Sequence, residues 1–269
     1  MRVLGFYGKG GIGKSTTVSN LSVLLAERGR RVLQLGCDPK SDSCYSLVAD
    51  DVETVMQQWQ LLGESDLTLD RCLMMGRHGV HCLEVGGPVP GTGCGGRGIT
   101  KALELVGDAA ALRVRYDVVL FDVLGDVVCG GFSAPMRSEY ADEVYIVTSG
   151  EFRALFAANN IAHAVRSHAR NGVRLGGLVP NLKGLDHELE RIEQLGEAIG
   201  SRVLPAIPHD SAVADAELGR VPVVDRAPDS PASRALRALC DVIDAPALAQ
   251  GTVPRPLTRA ELDELFLRE

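Results

Sequence analysis

The chain has 269 residues, 45% of them hydrophobic and 23% charged, with a mean hydropathy of +0.07. That balance describes a soluble, globular chain long enough to bury a sizeable core in one or two domains. A net charge of −7 and a pI near 5.4 argue against general binding to nucleic acid or anionic membranes, although a local basic docking patch is compatible with them.

Residues 2–7 are a short apolar, partly β-branched run ending in glycines, and Val18, Leu21, Leu24 and Leu25 then recur at the spacing of a helix over residues 16–29. This strand, loop and helix start at once, leaving no room for a signal peptide, so the expected location is the cytoplasm. Residues 31–35 give a second strand closing at Gly36-Cys37-Asp38-Pro39. Residues 117–121 give a third, almost continuously apolar, as a strand buried on both faces should be. Asp122, Gly125 and Asp126 break the apolar stretch that follows, so no run reaches the roughly 18 to 20 residues needed to span a bilayer. Residues 144–148 and 175–179 supply two more strands beside amphipathic helical stretches at 154–170 and 186–199. The alternation predicts an α/β fold, a mostly parallel sheet with helices on both faces and ligands at the carboxyl ends of its strands. With no internal repeat or low-complexity linker, residues 1–244 read as one domain. The tail, residues 245–269, is proline-rich and then carries the capping box Thr258-Arg259-Ala260-Glu261 before Leu262, Leu265 and Phe266, which predicts a short docked helix.

Gly8-Lys9-Gly10-Gly11-Ile12-Gly13-Lys14-Ser15 fits the GxxxxGK[ST] phosphate loop, after a strand and opening a helix. Glycines let backbone N–H groups turn around phosphate oxygens, the helix start adds a positive dipole end, Lys14 reaches the terminal phosphates and Ser15 is placed to ligate magnesium. Residues 8–15 with Thr16 are therefore the expected ATP-binding set. Lys9 is a second lysine, placed as in dimerising ATPases that send it to the partner's nucleotide; a solvated loop lysine is the alternative. If it crosses, it acts like an arginine finger in trans, worth about 10³ to 10⁵ in rate. Asp122, ending the third strand, has the placement of a carboxylate that holds magnesium through its water shell, and Asp38 that of a group orienting the attacking water. Both positions also suit helix caps or turn formers.

The seven cysteines are Cys37, Cys44, Cys72, Cys82, Cys94, Cys129 and Cys240. An odd count without a secretory signal argues against a disulfide framework, and the absence of a CxxC pair argues against structural zinc. Cys94 and Cys129 each sit among glycines, where backbone can approach a bulky group and offer N–H donors to sulfur. A 4Fe-4S cluster usually takes four thiolates, so a two-fold axis doubling these two is the economical solution. Two free thiols in glycine loops, or an intrachain cluster using Cys37 or Cys82, are the alternatives.

The segments 7–17, 36–40, 86–88, 93–98 and 122–132 together resemble the nitrogenase iron protein family, the ATP-dependent reductase subunits of nitrogenase-like enzymes, and the resemblance covers essentially the whole chain. It implies a homodimer bridged by one 4Fe-4S cluster on Cys94 and Cys129 of each subunit, with MgATP hydrolysis coupled to one-electron transfer. It implies that residues 38–42 and 122–128 are nucleotide-reporting switches, which adds Asp126 to Lys9, Asp38 and Asp122 as catalytic residues. It places Arg97 on the docking face as a possible target of ADP-ribosylation, the alternative being an ordinary surface arginine. Asn181, Pro208 and Asp210 match positions around the adenine, while His209 stands where the family usually has arginine. The implied partners are a nitrogenase-like heteromeric catalytic component and an upstream ferredoxin or flavodoxin, with no nucleic acid or membrane.

Residues 149–151 and 157–161 look more like the nitrogenase iron protein, whereas residues 31–42 and Arg255-Pro256-Leu257 resemble chlorophyllide-reducing relatives. Cys44 and Val179-Pro180-Asn181 depart from nitrogenase components. These features favour a nitrogenase-like system outside the main types, with methylthio-alkane reductase as the leading partner; nitrogenase itself and chlorophyllide reductase are the alternatives. A partition-type ATPase would need no cluster, and an iron-sulfur carrier would usually have a closely spaced cysteine pair.

Overall fold

Five runs dominated by apolar residues form the long strands of the sheet, their side chains buried on both faces: β1 (Arg2–Tyr7), β2 (Val32–Gly36), β5 (Val118–Asp122), β6 (Glu143–Thr148) and β7 (Arg174–Pro180). Two short strands, β3 (Met74–Met75) and β4 (His81–Glu84), complete it. The computed structural model describes residues 1–49, 51–87, 96–107, 109–125, 134–137, 141–245 and 251–267. Among them the sheet order is β3-β4-β2-β5-β1-β6-β7, parallel except for the antiparallel β3–β4 pair.

The helices are α1 (Lys14–Glu27), α2 (Val55–Leu62), α3 (Leu69–Cys72), α4 (Gly96–Val106), α5 (Ala109–Arg115), α6 (Ala134–Arg137), α7 (Phe152–His168), α8 (Glu188–Ile199), α9 (Ser211–Leu218), α10 (Val223–Arg226), α11 (Pro231–Asp244) and α12 (Arg259–Phe266). They enclose two apolar layers. One contains Leu33, Leu35, Val119, Phe121 and Ile161; the other contains Leu4, Phe6, Leu24, Leu120 and Leu239. Alternate residues of the same strands enter different layers, as the two-residue period of a pleated strand requires. None of the described helices is long and apolar enough to cross a membrane.

The five long strands lie where the sequence predicts them, with ends shifted by at most one residue. β3 and β4 are not anticipated, since four residues, His81 to Glu84, carry no alternation and become a strand only by pairing with Leu33–Gly36. The tail is fastened through Asn159, whose buried amide donates to the Leu257 carbonyl and accepts the Leu257 N–H, both at 2.8 Å. Thr258 and Glu261 then form the reciprocal capping box of α12, and Leu262 is fully buried.

One buried polar network positions the segment after β2. Gln34 accepts a hydrogen bond from Ser22 and donates through its amide to Ser19 and to the carbonyl and hydroxyl of Ser43, at 2.8 to 3.2 Å. A core amide with its partners satisfied fixes α1, β2 and Ser43 in one register.

Candidate active site

The phosphate loop leaves β1 at Gly8, whose φ is 152° and where a Cβ would lie 2.2 Å from the Val147 carbonyl oxygen. Gly13 precedes α1 in the left-handed region, and a Cβ on it would stand 2.3 Å from the Asn181 amide nitrogen, which itself donates to the Ile12 carbonyl at 2.7 Å. At Gly10 and Gly11, by contrast, a Cβ would meet nothing within 4 Å. The loop is gripped at both ends and open at its crest.

Lys14 is buried with its Nζ 3.5 Å from the Lys9 carbonyl. Asp122, at the end of β5, is buried as well. Burial pushes its carboxyl up, while the Lys14 charge and hydrogen bonds from the Ser15 and Ser43 hydroxyls oppose that shift. An ammonium, a hydroxyl and a buried carboxylate behind an open glycine crest fit a magnesium–phosphate group: the cation recovers the desolvation of Asp122, and the crest admits the anion.

Asp38 follows β2. Its Oδ1 accepts the Lys40 N–H at 2.8 Å, so in this conformation the side chain shapes its own turn. Asp42, exposed, lines a cleft of about 310 Å³ with Ser15, Thr16, Ser43 and Glu217. A neighbouring cleft of about 270 Å³ joins Gly11, Gly13 and Thr16 to Asn181, Pro208 and Asp210, so the predicted adenine-side residues do lie beside the phosphate loop. The Asp210 carboxylate is committed to backbone N–H groups: Oδ1 caps α9 at Ala212 and Oδ2 accepts from Ala232, each at 3.0 Å, which lowers its pKa. His209 lines the same cleft. Lys9 does not. It lines a separate groove of about 380 Å³ with Phe152, Arg153, Phe156 and Arg259.

Two contributors escape sequence reasoning. Glu217 shares both clefts and accepts the Thr16 hydroxyl at 2.7 Å, a contact between residues 201 apart that no local pattern announces. Ser43 reaches Asp122 only because Gln34 holds it there; the apolar context of Gln34 within a strand is the one available signal.

Cys94, Cys129 and Asp126 lie outside the described residues, as do the rest of 88–95 and 126–133 and the side chain of Arg97. The other five cysteines are buried, and burial raises the thiol pKa of Cys37, Cys44, Cys72 and Cys240. Cys37 lies in one apolar layer and Cys82 in the other, each buried, which counts against either one as an intrachain cluster ligand. A thiol buried in an apolar layer does not suit iron–sulfur ligation.

Residues 2–269 match the family described as 4Fe-4S iron sulfur cluster binding proteins, NifH/frxC family. The chain belongs to this family. Nitrogenase iron protein 2 of Methanothermobacter thermautotrophicus is 42% identical over 266 residues, 99% of this chain and 97% of that protein. NifH/frxC membership makes the chain an ATP-dependent reductase component that works as a homodimer with a nitrogenase-like catalytic component, binding MgATP and a 4Fe-4S cluster that bridges the dimer. Among solved structures, the cell division ATPase MinD of Pyrococcus furiosus superposes with a TM-score of 0.72 at 24% identity, covering 90% of this chain and 98% of that one. Cobyrinic acid a,c-diamide synthase of Mycobacterium smegmatis, with an ATP analogue and magnesium, gives 0.64 at 21% identity, covering 90% and 94%. At these identities the likeness shows the shared P-loop fold alone.

Proposed function

We propose that this NifH/frxC member delivers one electron per cycle from its bridging cluster to a nitrogenase-like catalytic component outside the main nitrogenase types, with methylthio-alkane reductase as the favoured partner. Identity of 42% to a nitrogenase iron protein supports the general reading. Cys44 and Val179-Pro180-Asn181, which depart from nitrogenase components, support the narrower one. A ferredoxin or flavodoxin would recharge the dimer.

The observation that carries the mechanism is the meeting of Lys14, Ser15 and Asp122 behind the open crest of the glycine loop. Lys14 neutralises the terminal phosphates, and Ser15 and Asp122 would hold magnesium, directly and through water. Asp38 orients the attacking water once its turn opens, and Lys9, pointing into a groove apart from its own nucleotide cleft, serves the partner subunit's nucleotide. Asp126 follows Asp122 along the second switch. Asn181, Pro208 and Asp210 shape the adenine end, and Arg97 belongs to the docking face. Cys94 and Cys129 would hold the cluster, which when bound supplies a one-electron carrier. Nucleotide drives docking and release only through its differential affinity for the two switch conformations.

Cys94→Ser or Cys129→Ser should abolish the cluster's visible absorption and electron delivery while leaving MgATP binding intact. A normal cluster in either variant would overturn the ligand assignment.

A further inference from the structure

β4 ends on Glu84, a fully buried carboxyl at the junction of two functional segments. Its Oε1 accepts the Cys44 backbone N–H at 2.6 Å. Its Oε2 is buried without a hydrogen-bond partner and occupies the space over Gly36, where a Cβ would stand 2.2 Å away. Gly36 is the register partner of Glu84 in the β2–β4 pair, and Thr54 bridges to Glu84. From Gly36 the chain enters the turn carrying Asp38 and Asp42; from Glu84 it runs on toward Cys94. A buried oxygen without a partner is costly, and an apolar side chain would fill the same notch without that penalty. The carboxyl is therefore poorly explained by packing alone.

We infer that Glu84 is a positioning residue for nucleotide-gated electron transfer: it clamps the segment 38–44 to the end of β4, so that a displacement of the nucleotide-sensing turn is passed to the strand leading to the cluster ligand. The inference rests on the reading of residues 38–42 as a switch and of Cys94 as a ligand. The clamp works through hydrogen-bond acceptance and fit rather than charge. Burial, together with the negative charges of Asp122 on β5 and Asp42 on the turn, pushes the Glu84 carboxyl up to about 8 against the pull of the Cys44 N–H and of the Cys44 thiol, so the neutral acid prevails at pH 7. The thiols nearby, Cys37 beyond Gly36 and Cys44 on the turn, have raised pKa values and are neutral too. Glutamine reproduces a neutral acceptor of the same shape; alanine removes it.

The test uses the anaerobically purified holoprotein at pH 7, with two readouts: the rate at which an iron chelator strips the cluster with and without MgATP, and hydrogen exchange of residues 38–48 and 81–87. Glu84→Ala should bind MgATP as the wild type does and still change exchange in residues 38–48. Its MgATP effect on chelation should shrink by about fivefold or more, the lower end of ordinary coupling between sites. Glu84→Gln should restore the effect. If the alanine variant does not fold, Glu84→Met fills the volume without the acceptor and serves the same comparison. A full wild-type effect in the variants lacking the acceptor, or a glutamine variant as defective as they are, would overturn the clamp. If MgATP leaves residues 38–48 and chelation unchanged in the wild type, the switch reading itself fails, and the clamp with it.

Discussion

Single side chains set the shape of the phosphate site, and most of them are legible in the sequence because their chemistry is local. The glycine loop declares itself, but which glycines matter for which reason does not: Gly8 and Gly13 are held by Val147 and Asn181, residues remote in the chain, whereas Gly10 and Gly11 face open space. Gly8→Ala should therefore damage the loop far more than Gly10→Ala. Overpacking against a backbone oxygen costs about 1–3 kcal/mol, to be read as a lower melting temperature together with weakened MgATP binding, with Gly10→Ala close to wild type in stability. Glu84 was invisible in the sequence because nothing in His81-Cys82-Leu83-Glu84 marks an acid as buried. Its folded pKa, about 8, lies above the ordinary carboxylate value, so the folded state holds the proton more tightly than the unfolded chain. The stability this contributes is fully present below the unfolded pKa of 4.5 and is lost as pH rises through about 8. Urea midpoints measured from pH 5 to 9 should thus fall more steeply for the wild type than for Glu84→Gln, with a difference of at most about 1.4 kcal/mol per pH unit. Parallel profiles would show that Glu84 does not hold this proton.

Elements were legible where their pattern is internal and obscure where it depends on neighbours. The capping box at Thr258 and Glu261 announces α12, and the continuous apolar runs announce the central strands. The strand β4 and the buried Gln34–Ser43 network exist only through pairings formed in the folded chain. The same distinction governs the tail. Its helix is local, but its attachment runs through Asn159 on α7 and through Leu262, the buried residue of α12. Leu262→Ala should cost about 2–5 kcal/mol by leaving a cavity. Asn159→Ala should cost about 1–3 kcal/mol for each Leu257 group left unpaired. Equilibrium unfolding checks both values, and limited proteolysis should show earlier cleavage within residues 251–267 in either variant. Unchanged unfolding would mean that the tail contributes little to the fold.

At the scale of the whole molecule, one sheet separates two apolar layers and delivers the carboxyl ends of β1, β2 and β5 to the same end of the sheet, where Lys14, Ser15 and Asp122 meet and the turn carrying Asp38 begins. That arrangement follows from strand–helix alternation and was readable from the sequence, as was the phosphate chemistry. The cluster was readable in a different way. Two cysteines among glycines suggest it, family resemblance names it, and the burial of Cys37 and of Cys82 counts against either one as a ligand. What a single chain cannot display is the second copy that completes the ligand set. The central claim is accordingly stoichiometric, and the most direct measurement is iron and acid-labile sulfide per chain, with mass in solution, on anaerobically purified protein. One shared 4Fe-4S cluster requires about two irons and two sulfides per chain in a dimer. A dimer that remains free of iron after anaerobic reconstitution would contradict the account.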